Sequence, residues 1–293
     1  NASAGIEPSF FEVATIVALL AFARTPADAC LLEVGLGGRL DATNIIDRPL
    51  VTGIASLGLD HEQFLGSDIV SIAREKAGIG KKGVPLVSLA QPSDAEAAIA
   101  KVAADRGAPL LLEGRDWTVA PDLNPALPGL HQKRNAGLAW AMLQAQGRLG
   151  VTLPDFRHAV ATTRWPARFQ KLEDGPLTHG LETWIDGAHN AAAAAALAEL
   201  LGERGPMHLV LGILANKDAD SIVAALAPRA LSLTFLPVPD HPHHDPHALA
   251  SRFGGRAAAS IEEALARLPA PRLIAGSLYL AGSALAANGE VPN

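Results

Sequence analysis

Cysteine is almost absent from this sequence, which has one, Cys30, among 293 residues. A single thiol excludes a framework of internal disulfide bonds and is typical of a protein kept in a reducing cytosol. Cys30 falls in an apolar segment that predicts a buried strand, and a buried thiol is a poor nucleophile. We therefore expect a cytoplasmic protein in which Cys30 packs in the interior and does not act in catalysis.

Long apolar runs and blocks of like charge are also missing. The longest apolar run near the start, Ala14–Ala23, is about half as long as a membrane-spanning helix must be, and no basic region precedes it as in a signal peptide. The 24 basic and 30 acidic residues are interspersed and give a net charge of −6. These patterns argue against a membrane or a nucleic acid as partner.

Three familiar nucleotide and metal patterns are absent or misplaced. A phosphate loop ending in Gly-Lys-Ser or Gly-Lys-Thr occurs nowhere in the sequence. The run Gly78–Gly83 fits Gly-x-Gly-x-x-Gly, but it follows a predicted helix and precedes a predicted strand, the reverse of the order in a dinucleotide-binding turn. The histidines of His241–His247 match no standard zinc spacing, so we expect no structural zinc there.

Predicted strands and helices alternate along the chain and indicate an α/β protein with parallel sheets in both halves. The length of 293 residues favours two domains, and we place their boundary between residues 163 and 164, beside the helix-breaking Trp165-Pro166. Ser67 is the expected N-cap of the helix over 68–77. The predicted strands are 29–34, 51–57, 84–89, 182–185, 208–214, 231–236 and 272–275, and the predicted helices are 8–24, 68–77, 94–106, 131–148, 154–162, 190–203, 219–226 and 278–287.

Three polar side chains of the first half lie at or beyond the ends of predicted strands. Glu33 comes at the end of the first strand, His61 follows the second, and Lys76 lies one helix further on. Ligands of open α/β sheets gather beyond the carboxyl ends of the strands, and Mg²⁺ prefers oxygen ligands that it shares with phosphates. The alternative is structural: Lys76 neutralises the carbonyl groups of the last helical turn, and the other two cap neighbouring elements.

A second set of polar residues is spread over later segments. Asn135 lies early on a helix, Arg168 just past the predicted boundary, and Asp186 and His189 at the end of a predicted strand. Arginine suits multidentate contact with phosphate. The run from Asp186 to His189 also fits a helix N-cap with a polar neighbour, and the two interpretations are compatible because helix N-termini attract anions.

Eight ordered motifs carry a family resemblance over nearly the whole chain. They are Ser9–Glu12, Glu33–Asn44, Gly58–His61, Arg74–Gly78, His131–Asn135, Trp165–Arg168, Asp186–Asn190 and Gly276–Ala281. In this order they resemble folylpolyglutamate synthase and dihydrofolate synthase, the folate branch of the Mur-ligase superfamily. The resemblance implies a partial Mur-ligase domain that binds ATP and Mg²⁺ over 1–163, and a smaller Rossmann-like glutamate-ligase domain over 164–293.

The resemblance also implies roles for residues of the first half. Glu33 and His61 would hold the magnesium, and Lys76 would be carbamylated, which turns an ammonium group into an anionic oxygen donor. Such a lysine needs a lowered pKa. Asp41 would contact the pterin and Phe10 would help to wall its site. An Asx-type turn and aromatic core packing are the structural alternatives for these two residues.

In the second half the resemblance implies a nucleotide site and a glutamate pocket. Asn135 would reach the adenine, Arg168 the phosphates, Asp186 the ribose or another part of the nucleotide, and His189 the reacting phosphate end. The loop His241–His247 is a candidate for lining the glutamate pocket, and Ser277 and Tyr279, at the end of the last predicted strand, are weaker candidates for the same pocket. Lys76, Arg168 and His189 are the expected catalytic residues.

The implied activity is an ATP-dependent, ADP-forming ligase that joins L-glutamate to dihydropteroate or a reduced folate through an acyl phosphate. The motif around Asp41 favours the bifunctional type, and the protein would be a cytoplasmic monomer in folate biosynthesis and one-carbon metabolism. The alternatives are a Mur ligase acting on a UDP-sugar acid and a non-catalytic remnant that binds folate or nucleotide. Because the family carries a phosphate loop upstream of the segment Ser9–Glu12, we expect the 293-residue chain to have little or no activity by itself.

Overall fold

The chain forms two compact units, each with a sheet of its own. The computed structural model describes residues 7–60 and 62–291. One unit ends at Val119 and takes in Gly137–Val151, and the other comprises Ala120–Ala136 and the chain from Thr152 onward. The predicted α/β class is confirmed, while the predicted division between residues 163 and 164 stays a prediction.

Helices and strands alternate along both units. The helices are α1 Phe10–Arg24, α2 Glu62–Leu65, α3 Ile69–Ala77, α4 Ser93–Arg106, α5 Leu130–Gln146, α6 Leu153–Thr162, α7 Ala191–Arg204, α8 Ala219–Leu226, α9 Pro246–Phe253, α10 Ile261–Ala266 and α11 Leu278–Ala287. The strands are β1 Thr52–Ile54, β2 Leu86–Ser88, β3 Leu110–Leu112, β4 Gln170–Lys171, β5 Thr183–Ile185, β6 Met207–Leu211, β7 Ala230–Phe235, β8 Arg256–Ala257 and β9 Arg272–Ala275. Short 3-10 helices cover Ala42–Ile45 and Ala227–Arg229.

The first unit is built on a three-stranded parallel sheet in the order β1-β2-β3. Successive strand residues point to opposite faces, and β2 is buried on both. Leu86 joins a core with residues of α3 and α4, whereas Val87 packs with Leu138 and other residues of α5. The predicted parallel sheet of this half is confirmed.

The predicted strand over 29–34 is wrong. Within the described residues this segment enters no ladder, and Leu31 is 94% exposed. A strand forms where a neighbouring backbone completes its hydrogen bonds, and a run of apolar side chains cannot substitute for that neighbour. Cys30 is correspondingly exposed, which contradicts the expected burial of its thiol.

The predicted N-cap of α3 is also wrong by one position. Asp68, not Ser67, has the extended backbone of an N-cap. Its carboxylate accepts hydrogen bonds from the backbone N–H of Ser71 at 2.9 Å and from the hydroxyl of the same residue at 2.6 Å. The predicted helix itself is confirmed, with observed bounds Ile69–Ala77.

The second unit holds a six-stranded sheet in the order β4-β5-β9-β6-β7-β8. Its strands are parallel except for β4, which pairs antiparallel with β5. Leu209 and Leu211 point into the core on one face, and Val210 points into the core on the other. The carboxyl ends of the central strands therefore come together at one edge, where the candidate residues of this unit begin.

Among the described residues, no helix has both the length and the apolar content that crossing a bilayer requires.

Candidate functional site

A glycine-containing loop of the first unit lies directly on the carboxyl end of α3. A Cβ on Gly38 would stand 2.9 Å from the carbonyl oxygen of Glu75 and 3.0 Å from that of Lys76. A Cβ on Gly78 would stand 2.6 Å from the Cα of Arg39. Glycine is required at both positions because any side chain would separate the loop from the helix.

Backbone donors of the loop and of the residues that follow α3 satisfy the carbonyl groups at the end of this helix. The backbone N–H of Arg39 donates to the carbonyl of Glu75 at 2.9 Å, and the N–H of Ile79 donates to that of Lys76 at 3.3 Å. The N–H of Gly78 bonds the last turn as well. Backbone donors thus do the work that the structural alternative gave to the Lys76 ammonium group.

Lys76 lines a small pocket beyond the carboxyl end of β1. The pocket has a volume of about 120 Å³ and is walled by Val34, Gly37, Gly53, Ile54, Ala55, Ser56, Leu57 and Ile79. Burial lowers the pKa of Lys76, and the negative charge of Asp60 partly opposes that shift. A lysine whose amine loses its proton more easily is the kind that carbamylation needs.

Of the other two predicted metal ligands of this unit, the structure describes only Glu33. Glu33 is exposed on the unpaired segment that precedes the loop, and His61 lies outside the described residues. Asp60, which the sequence analysis did not single out, contributes the negative charge near Lys76. Its position directly before His61 was the feature of the sequence that could have identified Asp60. Among the described residues, no cluster of three histidine, cysteine or carboxylate side chains could by itself hold a metal ion.

Asp41 organises the loop in which it lies. One carboxylate oxygen accepts from the backbone N–H of Leu36 at 2.8 Å. The other accepts from the N–H and the hydroxyl of Thr43 at 2.9 and 2.6 Å. This is the Asx-type arrangement that the sequence analysis kept as an alternative, so contact of Asp41 with a pterin stays a prediction.

Phe10 and its neighbour Phe11, both at the start of α1, differ in their contacts. The ring of Phe11 packs on Gly35, where an added Cβ would lie 2.4 Å from its Cζ. Phe10 is 90% exposed, so the core-packing alternative does not apply to it.

Asp186 stands at the end of β5 and binds backbone on two sides. Its carboxylate accepts from the N–H of Phe169 and from the N–H of Ala188, each at 2.8 Å. Burial raises the pKa of Asp186, while those two donors and the neighbouring charge of Arg168 lower it in part. The carboxylate therefore ties the turn before β4 to the turn before α7.

Arg168 lies between two residues with left-handed backbone, Ala167 at φ +57° and Phe169 at φ +46°. Its guanidinium stands close to Gly187, where a Cβ would lie 3.1 Å from Nη1 and only 2.3 Å from Leu278. Gly187 thus leaves room for the arginine side chain beside Asp186.

His189 and Asn190 prepare the amino end of α7. Nδ1 of His189 lies 2.8 Å from the carbonyl oxygen of Gly187, which orients the ring. The side chain of Asn190 accepts from the N–H of Ala193 at 2.9 Å and is the N-cap. The N-cap alternative is therefore present in the structure, at a helix end that also favours anions.

Two further residues to consider with Asp186 and Arg168 lie on α5. Asn135 is exposed, and its amide lies 3.4 Å from the side-chain oxygen of Gln132. His131 begins the motif His131–Asn135 but is not among the predicted site residues. Burial lowers its pKa, the charge of Asp186 acts in the opposite direction, and Arg168 adds to the lowering. These charges couple His131 to the strand-end residues.

Ser277 and Tyr279 follow β9, at the same edge of the sheet. Ser277 is buried, and its hydroxyl accepts from the N–H of Tyr279 at 3.1 Å as the N-cap of α11. The exposed ring of Tyr279 stacks on His241 with 3.7 Å between ring centroids. Tyr279 therefore presents a ligand-accessible surface, whereas Ser277 is committed to the helix.

Comparison with known proteins agrees with this arrangement. Residues 167–281 match the family described as Mur ligase, glutamate ligase domain. Folylpolyglutamate synthase of Lacticaseibacillus casei is 33% identical, with 93% of this chain and 70% of the relative covered.

Two solved structures have similar folds. Mycobacterium tuberculosis folylpolyglutamate synthase complexed with ADP and AMPPCP has a TM-score of 0.89 at 29% identity, covering all of this chain and 75% of the other. The bifunctional folylpolyglutamate synthase/dihydrofolate synthase of Yersinia pestis complexed with AMPPNP and Mn ion has a TM-score of 0.84 at 30% identity, covering 96% and 72%.

The fold and the matched domain define a protein of the Mur-ligase type. More narrowly, the chain belongs to the folylpolyglutamate synthase family.

Proposed function

We propose that this chain serves the ATP-dependent, ADP-forming ligation of L-glutamate to dihydropteroate or a reduced folate. The observation that carries the proposal is the 33% identity to a folylpolyglutamate synthase of which the chain covers 70%. The Asp186 turn, which brings an arginine and a helix N-terminus together at the carboxyl edge of a parallel sheet, supports it. That arrangement suits a phosphorylated ligand.

The reaction has two steps. A folate carboxylate oxygen attacks the terminal phosphorus of ATP, and the bond to ADP breaks. The amine of glutamate then attacks the acyl phosphate, loses a proton and displaces inorganic phosphate, which leaves an amide. The protein contributes chiefly by positioning the reactants and by stabilising charge on the transferring phosphoryl group.

The second unit supplies positive charge for this chemistry. Arg168 and the amino end of α7 bind phosphate oxygens, and His189 lies in the same turn with its ring oriented by the Gly187 carbonyl. Asp186 holds the backbone of this turn in place. Asn135 takes the adenine, and Tyr279, with Ser277 shaping the turn behind it, borders the glutamate pocket.

The first unit supplies oxygen donors for Mg²⁺. The residues fit the ion in kind: Glu33 offers an exposed carboxylate, Asp60 a second, and Lys76 becomes a third anionic donor once carbamylated. The lowered pKa of Lys76, caused by its burial, favours that modification. When bound, the ion supplies positive charge against the phosphates. His61 is the fourth proposed ligand, and Asp41 and Phe10 are proposed to border the pterin.

Carbamylation can be measured directly. With ¹³C-labelled bicarbonate, the wild-type chain is expected to show a ¹³C carbamate NMR signal that Lys76→Arg lacks. Lys101→Arg is the matched control, because the exposed side chain of Lys101 on α4 lies in an ordinary ion pair with Asp105. A carbamate signal that survives in Lys76→Arg would remove this residue from the metal site.

Glutamate-dependent release of ADP tests the activity itself. Dihydropteroate and tetrahydrofolate are compared side by side, using the 293-residue chain and the same chain joined to a family segment that carries a phosphate loop. We expect release with both substrates from the extended protein. Release with one substrate only would name that substrate and weaken the assignment of Asp41.

Arg168→Gln removes the guanidinium proposed to bind phosphate and is expected to reduce ADP release. Arg252→Gln is the matched control and should leave release unchanged, since Arg252 is an exposed arginine paired with Asp220 on another part of the second unit. A protein that binds ADP but shows no glutamate-dependent ADP release with either acid substrate would favour the non-catalytic alternative. Release with a UDP-sugar acid alone would favour the other Mur ligases.

We propose that the protein acts in the cytoplasm as a monomer, the state expected when the chain is dilute. Sedimentation at several concentrations tests the oligomeric state, and fractionation of cells tests the location.

A further inference from the structure

The turn that carries Arg168 has an unusual backbone. Both neighbours of Arg168 are non-glycine residues in the left-handed region, at φ +57° for Ala167 and +46° for Phe169. Such conformations are costly and persist only where the surroundings hold them. Hydrogen bonds, burial and a stack of side chains hold this turn.

Hydrogen bonds account for the polar groups of the turn. The N–H of Phe169 donates to Asp186 at 2.8 Å, and the N–H of Gly187 donates to the carbonyl of Ala167 at 2.8 Å. The N–H of Ala167 donates to the side chain of Gln170 at 3.1 Å. These bonds fix where the backbone runs.

Burial anchors the turn on both faces of the sheet. Ala167 packs in the core on one face, and Phe169, which is 3% exposed, packs in the core on the other. Arg168 stays half-buried between them. The side chain of Phe169 is thus the anchor that keeps the turn from rotating.

A stack of three side chains fixes that anchor. The rings of Phe169 and Trp184 are stacked with 4.7 Å between centroids. The guanidinium of Arg204 lies 5.1 Å from the first centroid and 5.0 Å from the second. The indole N–H of Trp184 donates to Glu182 at 2.8 Å. Arg204 is the exposed last residue of α7, where its charge also favours the helix end.

We propose that Phe169, Trp184 and Arg204 act as a positioning stack that keeps Arg168 directed at the phosphates of the nucleotide, an inference that rests on the phosphate-binding role proposed for Arg168. The three residues act through the backbone of residues 167–169, because loss of the stack lets Phe169 leave the left-handed region and turns the arginine away.

The test compares Trp184→Leu and Arg204→Gln with the wild-type chain. We expect the Kd for ADP to rise about 3- to 10-fold in each, the range that an aromatic or cation–π contact is worth. In the extended, active protein, KM for ATP rises while kcat stays within about twofold. Trp184→Phe restores most of the affinity. Arg252→Gln is the control, since Arg252 lies 5.3 Å from the ring of Phe253 in the same kind of contact on α9.

Amide hydrogen exchange gives a second measurement that needs no nucleotide. The amides of residues 167–170 are expected to exchange about tenfold faster in Trp184→Leu and Arg204→Gln, while those of β6 keep the wild-type rate. Unchanged exchange in residues 167–170 would overturn the inference.

A double-mutant comparison separates this inference from the proposed function. If the stack acts through Arg168, Arg204→Gln has no further effect on ADP affinity in an Arg168→Ala background. An equal effect in both backgrounds overturns the stack. If Arg168→Ala alone leaves ADP affinity unchanged, the phosphate-binding role fails instead.

Discussion

At the scale of the single residue, Asp186 is the group on which most of the nearby geometry depends. Its carboxylate accepts from the backbone of both turns that carry candidate phosphate ligands. An amide in its place would keep one acceptor oxygen and would turn its NH₂ toward a backbone N–H. The carboxylate is therefore specific for this position even before any nucleotide is considered.

We predict that Asp186→Asn lowers the free energy of unfolding by about 1–3 kcal/mol, the cost of leaving a buried donor unpaired. The Kd for ADP rises at the same time, because Arg168 and His189 lose their fixed backbone. Urea denaturation and ADP titration measure the two effects. Asp220→Asn, at an exposed ion pair, should change stability by no more than about 0.5 kcal/mol. A fully stable Asp186→Asn chain would contradict this account.

The burial of His131 leads us to predict that the stability of the folded state depends on pH. Burial lowers its pKa from the ordinary 6.5, while the charges of Asp186 and Glu199 raise it and that of Arg168 lowers it further. Between the lowered folded pKa and 6.5 the unfolded chain binds more protons, so the folded state loses stability as the pH falls through this window.

We expect His131→Gln to reduce that loss. The slope of unfolding free energy against pH should decrease by at most about 1.4 kcal/mol per pH unit. Denaturation with urea between pH 7 and pH 5 measures it. His247→Gln, on the exposed first turn of α9, is the control, and identical slopes for His131→Gln and the wild type would contradict the assignment.

At the scale of the element, the start of α3 gives a sharp test. Asp68 makes the N-cap hydrogen bonds and Ser67 does not hold that position. We expect Asp68→Ala to lower the urea midpoint, because a substitution by alanine at an N-cap leaves helix donors unpaired. Ser67→Ala should leave the midpoint unchanged. The reverse result would restore the cap position that the sequence suggested.

Elements with local signals were the ones the sequence could locate. The predicted bounds of α8 and α11 are those observed, since the capping residues Asp218 and Ser277 mark where these helices begin. The bounds of β9 also match, and this strand is flanked by Pro271 and Gly276, two residues that interrupt strands. The apolar run 51–57 predicts one strand, yet only Thr52–Ile54 pairs with β2. Strand ends depend on a partner elsewhere in the chain, which an apolar run does not reveal.

Some residues of the candidate site could likewise be located from the sequence, and others could not. Asp186 and His189 were located by sequence because both follow a strand end directly. The stack of Phe169, Trp184 and Arg204 was not, because it joins residues far apart in the chain and because no local pattern predicts a left-handed phenylalanine. Asp60 was passed over for its neighbour His61.

At the scale of the whole molecule, α1 presents an apolar surface. Its exposed side chains include Val17 and Leu20, which are 60% and 51% exposed. Contiguous apolar surface of this kind promotes association in water. The net charge of −6 opposes it only weakly, because salt screens the repulsion between exposed charges more than about 10 Å apart.

We predict that the 293-residue chain self-associates as its concentration rises, and that the double substitution Val17→Lys and Leu20→Glu suppresses this. Light scattering across a concentration series measures it. The unfolding free energy should change by less than about 0.5 kcal/mol, because the two side chains are exposed. Lys101→Glu on α4 is the control. Scattering that the double substitution leaves unaltered would assign the association to another surface.

The exposed thiol of Cys30 has a practical consequence. Because the chain has one cysteine and it is exposed, a maleimide fluorophore or spin label attaches at a single known position without any substitution. That position precedes the loop of Gly35 to Asp41 by a few residues. Light emitted from one natural attachment point can therefore follow, in real time, whether a pterin reaches that loop.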